Sequence, residues 1–224
     1  IAELAAFPGL HVLIGHPQLS LEAPAPGVLP KPTNSATVAV DGRVVGRYNK
    51  LELPNNEVFD EKRYFQPGTE PFVFEVDGTR FGVIICEDAW FVQPAADCLA
   101  QDAQMLAVIN ASPFHVGKGN ERELAMAQRC RQTHLPLVYA HLVGGQDEVV
   151  FEGRSFALQA SGAVCARAPS FEESAFDLAF EQGVLSGPMC AEQSIESDLW
   201  HALVLGVRDY IVKNGFPGAL LGLS

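Results

Sequence analysis

The sequence predicts an α/β protein built in layers, and three observations predict it. Two hairpin signatures, each closed by Asp-Gly at 41–42 and 77–78, mark pairs of antiparallel strands. Short apolar runs without alternation, GVIIC and MLAVINAS, mark strands covered on both faces. Stretches of helical spacing lie between such runs, so strands alternate with helices as well as pairing in hairpins.

In chain order, IAELAAFPGL reads as the tail of a helix already under way, which makes the N-terminus look cut. HVLIGHP (11–17) is a buried strand with a proline stop, and residues 20–35, rich in Pro, Ala and Ser, read as a loop. SATVAV-DG-RVVGRYN and FVFEV-DG-TRFGVIIC are the two hairpins, the second ending in a central strand. A helix is predicted over 93–104 and a buried strand over 105–112. Asn120 with Glu123 three residues on resembles a capping box, opening a helix that runs to about His134. LPLVYAHLV is a strand, and VVFEGRSFALQASGAVCARAP gives strands turned at Gly153 and Ser161-Gly162. The acidic, poorly periodic stretch 170–197 reads as a linker. SDLWHALVLGVRDYIVKNG is a helix capped by Ser or Asp and ended by Gly215, after which FPGALLGLS restarts a strand.

Composition narrows the function classes. Apolar residues make up 48% of the 224, enough for a sizeable core. With 27 acidic against 15 basic side chains, the formal charge of -12 argues against a nucleic-acid partner. No run of about 18 apolar residues argues for a membrane span. The five cysteines (86, 98, 130, 165, 190) are far apart and form no C-x-x-C pair, so neither zinc nor a dithiol motif is indicated. Reduced thiols in a cytosolic compartment fit best.

Three blocks carry chemistry. Cys86, in TRFGVIICEDAWF, ends a buried strand just ahead of Glu87 and Asp88, a junction that can expose a nucleophile beside N–H groups for an oxyanion. An inert core thiol is the bland alternative. Lys50 closes a strand before a polar loop; a solvated lysine is the ordinary reading, a cation that lowers a thiol pKa and stabilises an oxyanion the functional one. Glu61 shares that loop, with a surface ion pair to Lys62 or Arg63 as its bland role. In INASPFHVGKGNERE, Asn110 and Ser112 can present hydrogen bonds to a ligand or simply end the strand, and His115 has no visible Asp partner as a base.

Taken in this order, the blocks resemble the nitrilase (carbon–nitrogen hydrolase) superfamily. LPNNEVFDEKRYF, GVIICEDAWF, INASPFHVGKGNERE and LVGGQDEVVFEGRSF are most similar to the glutaminase domains of glutamine-dependent NAD synthetases, and LVLGVRDYIVKNGFPGALLGLS resembles the entry into their synthetase domain. The resemblance implies a nitrilase-like α-β-β-α sandwich, truncated at its N-terminus, over residues 1–169. A linker at 170–197 and the first helix and strand of an α/β ATP-pyrophosphatase-type domain at 198–224 would follow. It further implies Cys86 as nucleophile, Lys50 as the triad lysine, and Glu61 as the additional glutamate near the triad. Phe59, Glu87 and Ser112 would line the glutamine pocket, with the Glu87 N–H joining Lys50 on the oxyanion. Ser224 would open an S-G-G-x-D-S phosphate loop for ATP.

The resemblance also sets expectations about partners. The parent enzyme would amidate nicotinic acid adenine dinucleotide with ammonia from glutamine, consuming ATP with magnesium. No cofactor is expected in this stretch, and a homo-oligomer is expected of the superfamily. The triad glutamate, expected in an F-P-E-L-type segment ahead of HVLIGHP, is not found, and Glu3 is not assigned that role. Leu51, Glu52, Asn56 and His141 also depart from the pattern. This chain alone is therefore expected to show little activity. Two alternatives remain open: a stand-alone amidase acting on another amide, and a non-catalytic member kept for assembly.

Overall fold

The computed structural model describes residues 1–19, 31–55 and 59–223. A 3-10 helix at Ala2–Ala6 gives way at Pro8-Gly9 to strand β1 (Val12–Gln18). With β2 (Thr33–Val40) and β3 (Arg43–Asn49) it forms an antiparallel sheet in the order β1-β2-β3. The predicted loop over 20–35 overruns this sheet: Thr33 to Ser35 already pair with β1, and residues 20–30 lie outside the described residues. Asp41 and Gly42, at φ 48° and 75°, form the tight turn that the Asp-Gly pair predicts.

A short helix α1 (Glu61–Tyr64) leads to the second hairpin, β4 (Phe72–Val76) and β5 (Thr79–Ile85), turned by Asp77-Gly78. Next come a 3-10 helix at Cys86–Trp90, α2 (Val92–Ala100), β6 (Met105–Asn110), α3 (Lys118–Thr133) and β7 (Leu137–His141). A small hairpin, β8 (Val143–Gln146) and β9 (Val149–Glu152), precedes β10 (Phe156–Leu158) and β11 (Val164–Arg167). The large sheet runs β11-β10-β7-β6-β5-β4, and β5, β6 and β7 are parallel at its centre.

Alternation along β5 assigns its two faces. Val83 and Ile85 meet Ala36, Val38 and Tyr48 of the small sheet, while Ile84 turns to Ala95, Cys98, Met126 and Cys130 under α2 and α3. Gly82 lets α2 approach, since a Cβ there would lie 2.6 Å from that of Cys98. The result is helix on sheet on sheet, and the described residues supply three of the four layers of the expected sandwich.

Three expectations are corrected. Asn120 and Glu123 form no capping box: α3 begins at Lys118 behind Gly117 (φ 81°), and both side chains accept hydrogen bonds from Arg154. The linker stretch holds a hairpin, β12 (Ala179–Glu181) and β13 (Val184–Ser186). Its Leu185 and Phe180 pack with Met105, Ala157 and Ala166, so burial supplied by the large sheet outweighs the weak local pattern. After Gly215 no strand forms among the described residues, and Leu220, Leu221 and Leu223 stand almost fully exposed. An apolar run has no ladder without a neighbouring edge to pair with.

The last helix, α4 (Ile195–Lys213), starts earlier than its apolar spacing shows, because Ser194 caps it by accepting from the Ser197 N–H. It rests on the β8–β9 hairpin through Ala202 and Leu205, which cluster with Phe171, Phe114, Val143 and Val150. Asp209 accepts from the Gly145 N–H at 2.8 Å, and Lys213 donates to the Gly145 carbonyl at 2.6 Å.

Candidate active site

The parallel strands β5, β6 and β7 end in register. Ile85 pairs with Ile109 and Asn110 with His141, so Cys86, Asn110 and His141 stand in a row along their C-terminal edge. That edge is where open α/β sheets place ligands, because the chain turns away there and leaves a crevice. A cavity of about 480 Å³ opens over it, lined by Lys50, Glu61, Cys86, Asn110 and His141, with Asn34 from the small sheet.

Cys86 is the first residue past β5 and sits at φ 47°, a left-handed conformation that costs a side-chain-bearing residue roughly 1–3 kcal/mol. The sharp turn brings the thiol to the cavity wall and starts the 3-10 helix Cys86–Trp90, whose leading N–H groups follow it. Burial pushes the Cys86 thiol up to about 11; Lys50 opposes this, while Glu87 and Glu61 add to it. A thiol held that high is protonated near neutrality and needs a proton acceptor to become a nucleophile.

Lys50, 1% exposed, places its Nζ 2.8 and 2.9 Å from the two oxygens of Glu61. The bland expectation for Glu61, a surface pair with its neighbours, is not what forms: Arg63 pairs with Asp60 at 3.7 Å instead. Asn34 reaches Glu61 Oε2 at 3.5 Å. Glu61 is the one carboxylate among the described lining residues, and Lys50 holds both its oxygens.

The lysine and the thiol come from strands far apart in sequence, and Asp88 ties them together. Its fully buried carboxylate accepts from the Ile85 N–H at 3.0 Å, beside Cys86. It also accepts from Tyr48 Oη (2.8 Å) and from the N–H groups of Leu51 (3.1 Å) and Glu52 (2.8 Å), on either side of Lys50. Sequence reasoning passed over Asp88; a carboxylate two residues past a candidate nucleophile and buried with it was the available signal.

The remaining predicted residues divide. Glu87 follows the thiol, half-buried, its carboxyl raised by burial and lowered in part by Lys50. Ser112 does not line the cavity but touches two residues that do: Asn110 Nδ2 donates to its Oγ at 2.9 Å, and His141 Nε2 lies 3.4 Å from its N and 3.1 Å from its O. Phe59, half-buried ahead of α1, is outside the cavity lining, as are His115 and Glu3. Ser224 and Asn56 lie outside the described residues.

A buried ion pair braces the Ser112 turn from behind. Arg122 of α3 bonds Glu152 and also donates to the carbonyls of Ser112 (3.4 Å) and Pro113 (3.1 Å). His141 Nδ1 meets the Gly153 carbonyl at 2.7 Å, and burial, then Arg122, holds its imidazole below the ordinary value, hence neutral. All five cysteines are free thiols. Among the described residues no cluster of three His, Cys, Asp or Glu is arranged to hold a metal, and no helix is long and apolar enough to cross a membrane.

Residues 1–182 match the carbon–nitrogen hydrolase family. The chain belongs to that family. Within it, the chain is 43% identical over 195 residues to the glutamine-dependent NAD(+) synthetase of Acinetobacter baylyi, an alignment covering 85% of this chain and 36% of that protein. It is 35% identical over 228 residues to the same enzyme of Thermotoga maritima, covering 85% and 40%. Among solved structures, the glutamine-dependent NAD+ synthetase of Acinetobacter baumannii superposes with a TM-score of 0.89 at 35% identity, over 97% of this chain and 41% of that one. An amidase from Nesterenkonia sp. superposes at 0.62 and 23% identity, over 73% and 58%, a likeness of fold. The chain thus spans 36% to 40% of the length of these curated relatives.

Proposed function

We propose that this chain is the glutaminase part of a glutamine-dependent NAD synthetase, with Cys86 as its nucleophile. The observation that carries the reading is Cys86 on its left-handed turn, sharing one cavity with the buried Lys50–Glu61 pair. In this reading the Cys86 sulfur attacks the side-chain carbonyl carbon of glutamine. Lys50 Nζ and the Glu87 N–H stabilise the oxyanion. The carbon–nitrogen bond then breaks, ammonia leaves with the thiol proton, and a γ-glutamyl thioester remains. Water cleaves the thioester to glutamate and restores the thiol.

The proton acceptor belongs to a carboxylate other than Glu61, since Lys50 occupies both oxygens of that residue. We assign that role neither to Glu61 nor to Glu3. Phe59, Glu87 and Ser112, none of which lines the cavity itself, are proposed to act on bound glutamine from its surroundings, Ser112 through Asn110 and His141. In this reading the glutaminase unit, expected over 1–169, takes in the β12–β13 hairpin packed on its large sheet, and 198–224 is the entry to an ATP-pyrophosphatase-type synthetase domain, with Ser224 starting its phosphate loop. ATP, magnesium and nicotinic acid adenine dinucleotide belong to that second unit, and we place the whole enzyme, a homo-oligomer, in the cytosol.

The test is NAD formation by the full-length gene product, wild type beside Cys86→Ala, with glutamine or ammonia as nitrogen source. Loss of the glutamine-driven reaction with the ammonia-driven one retained supports the assignment. Equal glutamine-driven activity in both proteins would make Cys86 structural and withdraw it.

A further inference from the structure

The turn that carries Cys86 is gripped from both flanks. On one side, the Asp88 carboxylate joins the Ile85 N–H to the main chain that follows Lys50. On the other, the 3-10 helix Cys86–Trp90 closes its last bond from the Phe91 N–H to the Asp88 carbonyl at 3.2 Å. The carbonyls of Ala89 and Trp90 lie past that bonded end, where a helix leaves acceptors over. One side chain takes both. Arg129, in the second half of α3, donates from Nε to the Ala89 carbonyl at 3.2 Å and from Nη2 to the Trp90 carbonyl at 2.9 Å. Its Nη1 donates to Gln132 Oε1 at 2.5 Å, which steadies the fork. From the start of the same helix, Lys118 Nζ stands 4.7 Å over the Trp90 ring.

Arg129 is 5% exposed and makes no ion pair among the described residues, whereas the buried Arg122 and Arg167 each pair with a glutamate. Its guanidinium is committed to main chain, and that main chain is the helix the nucleophile begins. A residue with a side chain stays at φ 47° only where its surroundings over-determine it. The two grips supply that constraint, one on the N–H before Cys86 and one on the carbonyls three and four residues after it. Freed at its far end, this five-residue segment can relax by turning about Cys86, which moves the sulfur and the Glu87 N–H together.

We propose that Arg129 is a positioning residue for the amidase reaction, whose forked hold on the Ala89 and Trp90 carbonyls keeps the Cys86 sulfur and the Glu87 N–H aimed at one substrate carbonyl. Arg129 lines no part of the cavity, so it acts through the main chain. Nucleophile and oxyanion donor count most in the transition state, so shifting them lowers kcat more than it raises KM.

This inference rests on the glutamine reading, and Cys86→Ala run alongside separates the two. In the full-length gene product, kcat and KM for glutamine hydrolysis are measured for wild type, Arg129→Met and Arg129→Lys. Met removes the charge and the donors, while Lys keeps the charge and one donor but cannot fork. Urea midpoints check folding, rates are expressed per folded molecule, and Arg129→Lys is the variant read where Arg129→Met does not fold. The expected result is a kcat about 10- to 100-fold lower in both, with KM changed less than about threefold and ammonia-driven NAD formation unchanged. A merely structural arginine would lower the urea midpoint and leave kcat per folded molecule near wild type, so a kcat loss below about tenfold overturns the proposal. A KM that rises as far as kcat falls, or an equal loss of the ammonia-driven reaction, overturns it as well. If wild type hydrolyses glutamine no faster than Cys86→Ala, the functional reading falls and this inference with it. A Cys86-dependent wild type with unaffected arginine variants overturns the inference alone.

Discussion

Replacing Tyr48 by Phe removes one atom from the strut that ties the lysine strand to the nucleophile turn. Tyr48 is 1% exposed, and its hydroxyl donates to Asp88 Oδ2 at 2.8 Å. A hydrogen bond to a charged group contributes about 1.5–3 kcal/mol, and Phe leaves no cavity large enough for a replacement water. The Asp88 oxygen keeps only the Ile85 N–H. A loss of about 1.5–3 kcal/mol lowers Tm by about 3–12 °C for a domain of this size. The pH dependence has a definite sign. Burial raises the Asp88 carboxyl and the Tyr48 hydroxyl draws it partly back, so removing the hydroxyl raises it further. The bond is strongest to the ionised carboxylate, so the gap between wild type and variant is full at pH 8. It shrinks as pH falls through the Asp88 titration, which lies above the ordinary carboxylate range. Urea unfolding of both proteins at pH 8 and at pH 5 measures the gap. A difference below about 0.5 kcal/mol at pH 8, or one that widens on acidification, would refute the strut.

Two further outcomes follow from the same geometry. Iodoacetamide labelling of Cys86, followed by peptide mass spectrometry, should quicken about tenfold per pH unit from neutrality toward pH 10, because only the thiolate reacts and its titration is pushed to about 11; a rate that levels off below pH 8 would contradict this. Arg122→Met and Glu152→Leu should each cost about 3–5 kcal/mol by leaving a buried charge unpaired, while the double variant loses much less than their sum. Additive losses in urea unfolding would mean that the pair is not coupled.

The sheets and turns were the most legible part of the sequence. Asp41-Gly42 and Asp77-Gly78 fix their hairpins because an Asp-Gly pair tolerates the positive φ that the turn demands. The unbroken apolar run of β5 announced a strand covered on both sides, and Cys86 at its end announced a junction. Legibility failed where stability comes from a distant partner. The β12–β13 hairpin has little pattern of its own and folds against the large sheet. The capping-box spelling at Asn120 and Glu123 was overridden by Arg154, between β9 and β10, which bonds both side chains, and by Arg167 of β11, which bonds Glu123.

For the site, residue types in order along the chain were enough to nominate Cys86, Lys50 and Glu61, because a nucleophile, a cation and a carboxylate at loop edges carry recognisable chemistry. Which groups touch which was decided only by tertiary structure. Asp88 joins two strands 40 residues apart. Arg122 and Glu152 pair across 30, and Asn110 gains its place beside the thiol from strand register. Turns and apolar periods are local, set by φ and by side-chain alternation within a few residues. Burial, pairing of charges and the satisfaction of polar atoms depend on what the rest of the chain brings near, and no short stretch of sequence contains that.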